Sequence, residues 1–379
     1  MESKSPPHSS RLIIDNDAIA ANFQDLARRV APATCGAVIK ADGYGLGAAN
    51  VAPALLHAGC RSFFVARLSE AEQLQGRVGR DCAILILNGL DAGSEAACCD
   101  AGFVPVLNSP AQLAAWRAHA RSAARQLPAA LQVDTGMSRR GLTPEAAVTA
   151  AREPGLPEEI DLKLLMTHLA CGDEPLRESN IDQLRRFEAV AAYFPGVPKS
   201  IANSAGAFLG TDFHCDLVRA GIALFGVAPV TKAETLRPAV RLEARVLQIR
   251  TVTAGTAVGY GLDHVAAAAQ RIATIATGYA DGWPRSLGDK GAVWHRGVRL
   301  PIVGRISMDS LTVDISGLAE ADISEGDFVE LLGPSQSIAD VARDAGTIGY
   351  EILTGLGRRH TRFIIENGRM RHAPDGKAA

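Results

Sequence analysis

Short apolar runs separated by longer amphipathic stretches dominate the first part of the chain. Runs at 35–39, 62–66, 83–87, 104–107, 130–133, 162–166, 199–202 and 217–224 are largely apolar on successive positions, the pattern of strands covered on both faces. Between them, and ahead of the first, lie Ala-, Leu-, Glu- and Arg-rich segments such as 70–75, 109–124, 144–152 and 181–193, with helical spacing. Eight strands alternating with helices predict an α/β fold built on a parallel (β/α)8, TIM-like barrel. An open doubly wound sheet shares the alternation, and the count of eight favours closure. One more short strand at 11–15 leads into a helix that Asp15 or Asn16 can cap and that runs to about residue 30.

Beyond Pro229 the texture changes. Residues 231–238 read as a linker, followed by alternating runs at 240–252, 271–277, 291–295, 311–315, 328–332 and 362–365, split by Gly and Asp turns. Short helices are expected at 338–345 and 350–356. The division expected is a disordered tail over 1–10, a barrel over 11–235 and a mostly β C-terminal domain over 236–379, with the 11–15 strand open to recruitment by the latter.

At 379 residues there is ample length for two cores, and a formal charge of -2 leaves no basic surplus for nucleic acid or a membrane surface. Seven cysteines, odd in number and without a CxxC pair, suggest reduced thiols. No run approaches the roughly eighteen apolar residues of a membrane span. The opening Met-Glu-Ser-Lys-Ser-Pro-Pro-His-Ser-Ser lacks the apolar segment of a signal peptide, so a cytoplasmic protein is expected.

Candidate chemistry begins at Ala37-Val38-Ile39-Lys40-Ala41-Asp42-Gly43-Tyr44-Gly45-Leu46-Gly47, where a lysine leaves an apolar strand into a loop with three glycines. Desolvation there would lower the amine's pKa and make it nucleophilic; a lysine snorkelling from a strand end is the competing reading. Barrel chemistry sits where strands end, and Lys40, Arg139, His168, Asn203-Ser204 and Arg219-Ala220-Gly221-Ile222 all fall at or just past predicted strand ends. The last two groups follow strands seven and eight, where barrels commonly bind phosphate through backbone amides. Arg219, donor-only and permanently charged, lies between apolar residues, which speaks against a surface ion pair.

These motifs, with Asp134-Thr135-Gly136-Met137-Ser138-Arg139, Val258-Gly259-Tyr260-Gly261, Gly278-Tyr279-Ala280-Asp281-Gly282-Trp283 and Val303-Gly304-Arg305-Ile306-Ser307-Met308-Asp309, resemble those of the alanine racemase family. The resemblance runs from Arg11 to about Asn367. It implies a fold-type III enzyme that binds pyridoxal 5'-phosphate covalently through Lys40. It further implies that Tyr44, the Ser204 hydroxyl and the amides of Gly221 and Ile222 hold the phosphate. Arg219 would meet the pyridine nitrogen, His168 would bond to Arg219, and Arg139 would lie near the cofactor's phenolic oxygen and the substrate carboxylate. The Met308 amide would bind that carboxylate, Tyr279 and Tyr350 would line the entrance, and Tyr350 would also reach the phosphate. The residues of the β module would come from the second subunit of a head-to-tail homodimer.

Two positions depart from the family pattern. Gln132 stands where many members carry a carbamylated lysine, and a neutral amide can also orient Arg139. His264 falls where the second catalytic base, a tyrosine, is expected. Racemisation needs a base on each face of the Cα plane. Lys40 serves one, and His264 is expected on the other, with Tyr260 or Tyr279 as alternatives. The expected activity is interconversion of L- and D-alanine for cell-wall precursor supply. The alternatives are a racemase acting on serine or other small amino acids, a barrel lyase, or a cofactor carrier, although a carrier needs no β module. No His, Cys and Asp cluster with convincing metal-ligand spacing is seen.

Overall fold

The computed structural model describes residues 8–79, 81–230 and 236–373. Strand β1 (Ser10–Asp15) opens it and leads directly into helix α1 (Asn16–Val30), whose first turn is capped by Asp15 Oδ1 accepting from the Ala18 amide at 2.9 Å. Parallel pairing then runs in chain order through β2 (Thr34–Val38), β3 (Ser62–Val65), β4 (Ala83–Ile86), β5 (Val104–Leu107), β6 (Leu127–Gln132), β7 (Ile160–Met166) and β8 (Lys199–Ser200). β9 (Leu217–Ala220) returns to pair with β2. The seam between β8 and β9 is closed by single bonds: the Asp216 amide to Lys199 O and the Arg219 amide to Ala202 O, both 3.0 Å, and the Ser200 hydroxyl to Leu217 O.

Between these strands lie α2 (Ala48–His57), α3 (Leu68–Leu74), α4 (Glu95–Ala101), α5 (Pro110–Ser122), α6 (Pro144–Arg152) and α7 (Glu178–Ala191). Ser109 and Thr143 cap α5 and α6, each followed by proline at the first helical position, where a missing N–H costs nothing. The strands bury most of their side chains, Phe63 and Phe64 completely, each of these two contributing on the order of 1.5–3 kcal/mol. Two strands stop well short of their apolar runs. The run at 217–224 stops pairing at Ala220 because the Ser204 hydroxyl draws the amides of Gly221 and Ala223, and the chain coils into a 3-10 turn, Ile222–Phe225. The run at 199–202 pairs only over Lys199–Ser200.

The second unit takes its spine from β10 (Val240–Val252), antiparallel to β1 and to β17 (Phe328–Leu332) along its first half and to β13 (Gln270–Ile275) along its second. β1 lies between β10 and β18 (Thr361–Glu366), parallel to the latter. Residues 11–15 therefore belong to this unit and not to the barrel. Ser10, assigned to the tail, is the first residue of β1, with its hydroxyl bonded to His360 Nδ1 at 2.8 Å. The rest of the tail expectation, over 1–7, and the linker expectation over 231–235 lie outside the described residues.

β11 (Ala257–Val258) and β12 (His264–Val265) form a short hairpin; β14 (Ala292–His295), β15 (Val298–Pro301), β16 (Leu311–Asp314) and β19 (Arg369–His372) complete the sheet. Helices α8 (Ile338–Ala345) and α9 (Gly349–Gly355) sit where expected, α8 opened by the reciprocal Ser337–Asp340 capping bonds. All seven cysteines are free thiols. Among the described residues no helix is long and apolar enough to cross a membrane, and no three His, Cys, Asp or Glu side chains gather as a metal site.

Candidate active site

Lys40 lies two residues past the end of the first barrel strand, at the head of an unusual turn. Ala41, Asp42, Gly43 and Tyr44 all have positive φ, at 55°, 54°, 64° and 56°, so the chain makes a left-handed helical turn. An L-residue in that conformation costs roughly 1–2 kcal/mol, and three of the four are not glycine. Several bonds hold it: Gly43 N to Ile39 O at 2.9 Å, Gly45 N to Ala41 O at 2.8 Å, Gly47 N to Asp42 O at 2.7 Å and Ala48 N to Asp42 Oδ1 at 2.9 Å. The Lys40 ammonium is pushed below the ordinary lysine value, first by burial and then by Arg139, with Arg219 and Arg140 adding to it and Glu70 opposing.

Next to this turn lies a cradle of backbone amides. Ser204 Oγ accepts from the amides of Gly221 at 2.7 Å and Ala223 at 3.3 Å, and Ile222 is fully buried between them. A Cβ on Gly221 would stand 2.3 Å from the Tyr44 phenol oxygen, so only glycine lets the two meet. Tyr44, Ser204, Gly221 and Ile222 are thus brought together at one end of the barrel.

Arg219 is buried to 3% exposure. Its guanidinium donates to the Ser200 hydroxyl, to Thr167 O at 2.7 Å and to His168 Nδ1 at 3.2 Å. Burial lowers its pKa to about 10, so it remains charged near neutrality. Because guanidinium only donates, His168 Nδ1 must accept and the ring proton stays on Nε2. Burial and the cations Arg219, Arg139 and Lys40 push the His168 pKa down to about 3. The Thr167 hydroxyl pairs with that of Thr135 at 2.8 Å, and Gln183 bonds both Thr135 Oγ1 and His168 O. Nothing in the sequence marked Ser200 or Gln183, and Thr135 stands out there only as part of the arginine motif; the roles of all three depend on contacts between different strands and helices. Arg139 is exposed on the loop after β6, held beside Asp134, whose Oδ1 accepts from three successive amides of Gly136, Met137 and Ser138. Gln132 donates to Arg140 O at 3.2 Å, so the neutral amide steadies the arginine loop through its backbone and not through the Arg139 side chain.

The remaining candidates lie in the β unit. The loops around Tyr279 and Met308 are zipped together by Tyr279 N to Ser307 O and Ala280 N to Met308 O, at 3.1 and 3.0 Å. A Cβ on Gly278 would lie 2.3 Å from Ser307 O, which requires glycine there. Arg359, unmarked in the sequence, ties the same loops by pairing with Asp281 at 3.2 Å and Asp309 at 2.8 Å. Met308, Tyr279 and Tyr350 are all exposed. His264 lies in the β11–β12 hairpin, paired with Val258 next to the turn, with Nε2 3.2 Å from Gln270 Oε1 and Nδ1 3.9 Å from Asp289 Oδ1. Both ring nitrogens face partners of their own unit. Tyr260 stands at the tip, between Gly259 and Gly261 at φ 79° and 80°; it is 71% exposed. Among the described residues its phenol meets no hydrogen-bond partner.

The barrel residues fit pyridoxal phosphate on their own chemistry. A depressed amine, a glycine-dependent amide cradle and a group of cations opposed by one carboxylate near Lys40 together call for a covalently held anion. Comparisons agree. The family model "Alanine racemase, N-terminal domain" matches residues 14–229, and "Alanine racemase, C-terminal domain" matches 239–364. The chain is 48% identical over 361 residues to a catabolic alanine racemase of Agrobacterium fabrum, covering 95% of this chain and 93% of that protein. It is 46% identical over 372 residues to an alanine racemase of Brucella canis, covering 94% of each. The crystal structure of the Bartonella henselae alanine racemase with covalently bound pyridoxal phosphate superposes with a TM-score of 0.91 at 44% identity, over 95% of this chain and 100% of that one.

Proposed function

The chain belongs to the alanine racemase family, and on that premise we propose that it interconverts L- and D-alanine with pyridoxal phosphate held on Lys40. When bound, the cofactor withdraws electrons from the substrate Cα and so acidifies its proton. The observation that carries the reading is the desolvated Lys40 amine beside the Ser204–Gly221 cradle. Lys40 Nζ, its pKa lowered by burial and Arg139, takes or returns the proton on one face of Cα. Arg219 offers N–H donors and a positive charge that disfavours protonation of the pyridine nitrogen beside it, with neutral His168 and Ser200 fixing its plane. Arg139 and the Met308 amide bind the substrate carboxylate, and Tyr350 assists at the phosphate.

The opposite face needs a second base, which we assign to Tyr260 and not His264. Support comes from the free, exposed phenol at the hairpin tip, against an imidazole whose nitrogens face Gln270 and Asp289. A tip residue is suited to reach another molecule. Tyr260, Leu262, Tyr279, Met308, Ile348 and Tyr350 are all large, apolar or aromatic, and exposed, which favours a homodimer in which each β unit completes the partner's site. We place the enzyme in the cytoplasm, making D-alanine for peptidoglycan. The catabolic naming of the Agrobacterium relative favours a second reading, in which D-alanine is consumed. D-alanine auxotrophy on deletion of the gene separates the two. The central test is borohydride reduction of the holoenzyme followed by peptide mapping: a pyridoxyl adduct is expected on the Lys40 peptide, and an adduct on any other lysine overturns the proposal.

A further inference from the structure

We propose that Glu70 is the positioning residue of the reactive amine, its carboxylate clamping the left-handed turn that follows Lys40 to the start of α3. Glu70 is the third residue of α3, and an ordinary capping role would account for its bond to the Arg67 amide at 3.3 Å. Capping does not account for the other two bonds. Oε2 accepts from Ala66 N at 2.6 Å, at the end of β3, and Oε1 accepts from Ala41 N at 2.8 Å, the residue directly after Lys40. One side chain thus joins the ends of two adjacent barrel strands, and one of its bonds falls on the first residue of the strained turn. Without it, Ala41 loses the acceptor that fixes its amide while keeping an unfavourable φ of 55°. Lys40 is then free to swing.

The carboxylate also acts by charge. The groups influencing the Lys40 amine are Arg139, Arg219 and Arg140, which disfavour its charged form, and Glu70, which favours it; His168 is neutral beside them. Glu70 thereby tempers a depression that burial and the arginines would otherwise carry further. Position and charge can be separated by substitution. Glu70→Gln keeps the size and one acceptor oxygen but loses the charge. Ala41→Gly leaves the carboxylate in place and removes the conformational cost, since glycine enters left-handed space freely.

The inference rests on Lys40 being the reactive amine, and the experiment tests that first. Full-length chain freed of cofactor is trace-labelled with acetic anhydride across a pH series, and peptides are read by mass spectrometry with Lys199 and Lys290 as internal standards. Wild-type Lys40 should label at lower pH than the standards; if it does not, the functional proposal fails at its root. Given that result, Glu70→Gln should move the Lys40 profile to still lower pH and leave the standards unmoved. In holoenzyme, Glu70→Ala should lower the racemisation rate on the order of 100-fold, as expected for misplacement of a reacting group by about 1 Å, and adding Ala41→Gly should recover much of it. Should Glu70→Ala not fold, Glu70→Asp, too short to span both loops, replaces it. An unmoved Lys40 profile in Glu70→Gln, or no recovery on adding Ala41→Gly, overturns the assignment.

Discussion

Replacing Gly221 by alanine adds one methyl group where the site has no room. The new Cβ would stand 2.3 Å from the Tyr44 phenol oxygen, 3.2 Å from its Cζ and 3.5 Å from Val38 Cβ. The oxygen falls about 1.1 Å short of ordinary contact at 3.4 Å, and that oxygen alone makes the clash severe. Tyr44 cannot retreat cheaply, because its ring is packed in the interior at 6% exposure. Overpacking of this kind costs about 1–3 kcal/mol. Gly221→Ala should therefore lose about that much in urea unfolding of the cofactor-free chain, and should weaken pyridoxal phosphate binding measured by absorbance. Tyr44→Phe removes the clashing oxygen, so the double variant should be more stable than the sum of the single effects by at least about 1 kcal/mol. Strict additivity of the two, or a Gly221→Ala change within about 0.5 kcal/mol, would refute the steric account.

Acid should destabilise the cofactor-free chain through His168. Its folded pKa of about 3 lies below the ordinary 6.5, so protons bind the unfolded state preferentially and stability falls as pH drops from about 6.5 to about 3. His168→Asn should flatten that limb by on the order of a few kcal/mol in urea titrations at successive pH values, and an unchanged limb counts against a buried neutral imidazole. Activity should not depend on bicarbonate, since Gln132 already bonds the arginine loop without a carbamate; marked loss on degassing would contradict this. Tyr260→Phe should abolish exchange of one alanine enantiomer's Cα proton in D2O while His264→Asn leaves both, and the reverse result restores His264 as the base. Racemase activity per chain should fall on dilution as the homodimer separates, read alongside sedimentation.

What could be read from the chain was local. Helix α8 follows from Ser337 and Asp340, three residues apart, and the apolar strands β5 and β17 announce themselves by composition. Edge strands did not. Every residue of β19 is exposed, so neither alternation nor an apolar run marks it, and β15 buries only Leu300. The glycines near Lys40 signalled a loop, but a left-handed turn through Ala41, Asp42 and Tyr44 contradicts their intrinsic preference and is imposed from outside. Family resemblance located the barrel residues that the structure gathers around Lys40. At His264 it named a base by count alone, and a count carries no information about the Gln270 and Asp289 side chains that its ring nitrogens face.

β1 carries one more consequence, for synthesis. It is an interior strand of its sheet, yet both of its neighbours, β10 and β18, lie beyond the entire barrel sequence. As the chain leaves the ribosome, an apolar Leu12-Ile13-Ile14 segment must wait unpaired while the intervening barrel is made and folds. Recombinant expression should therefore be sensitive to anything fused ahead of Ser10, and chains cut short after the barrel should leave that strand as an open template for aggregation.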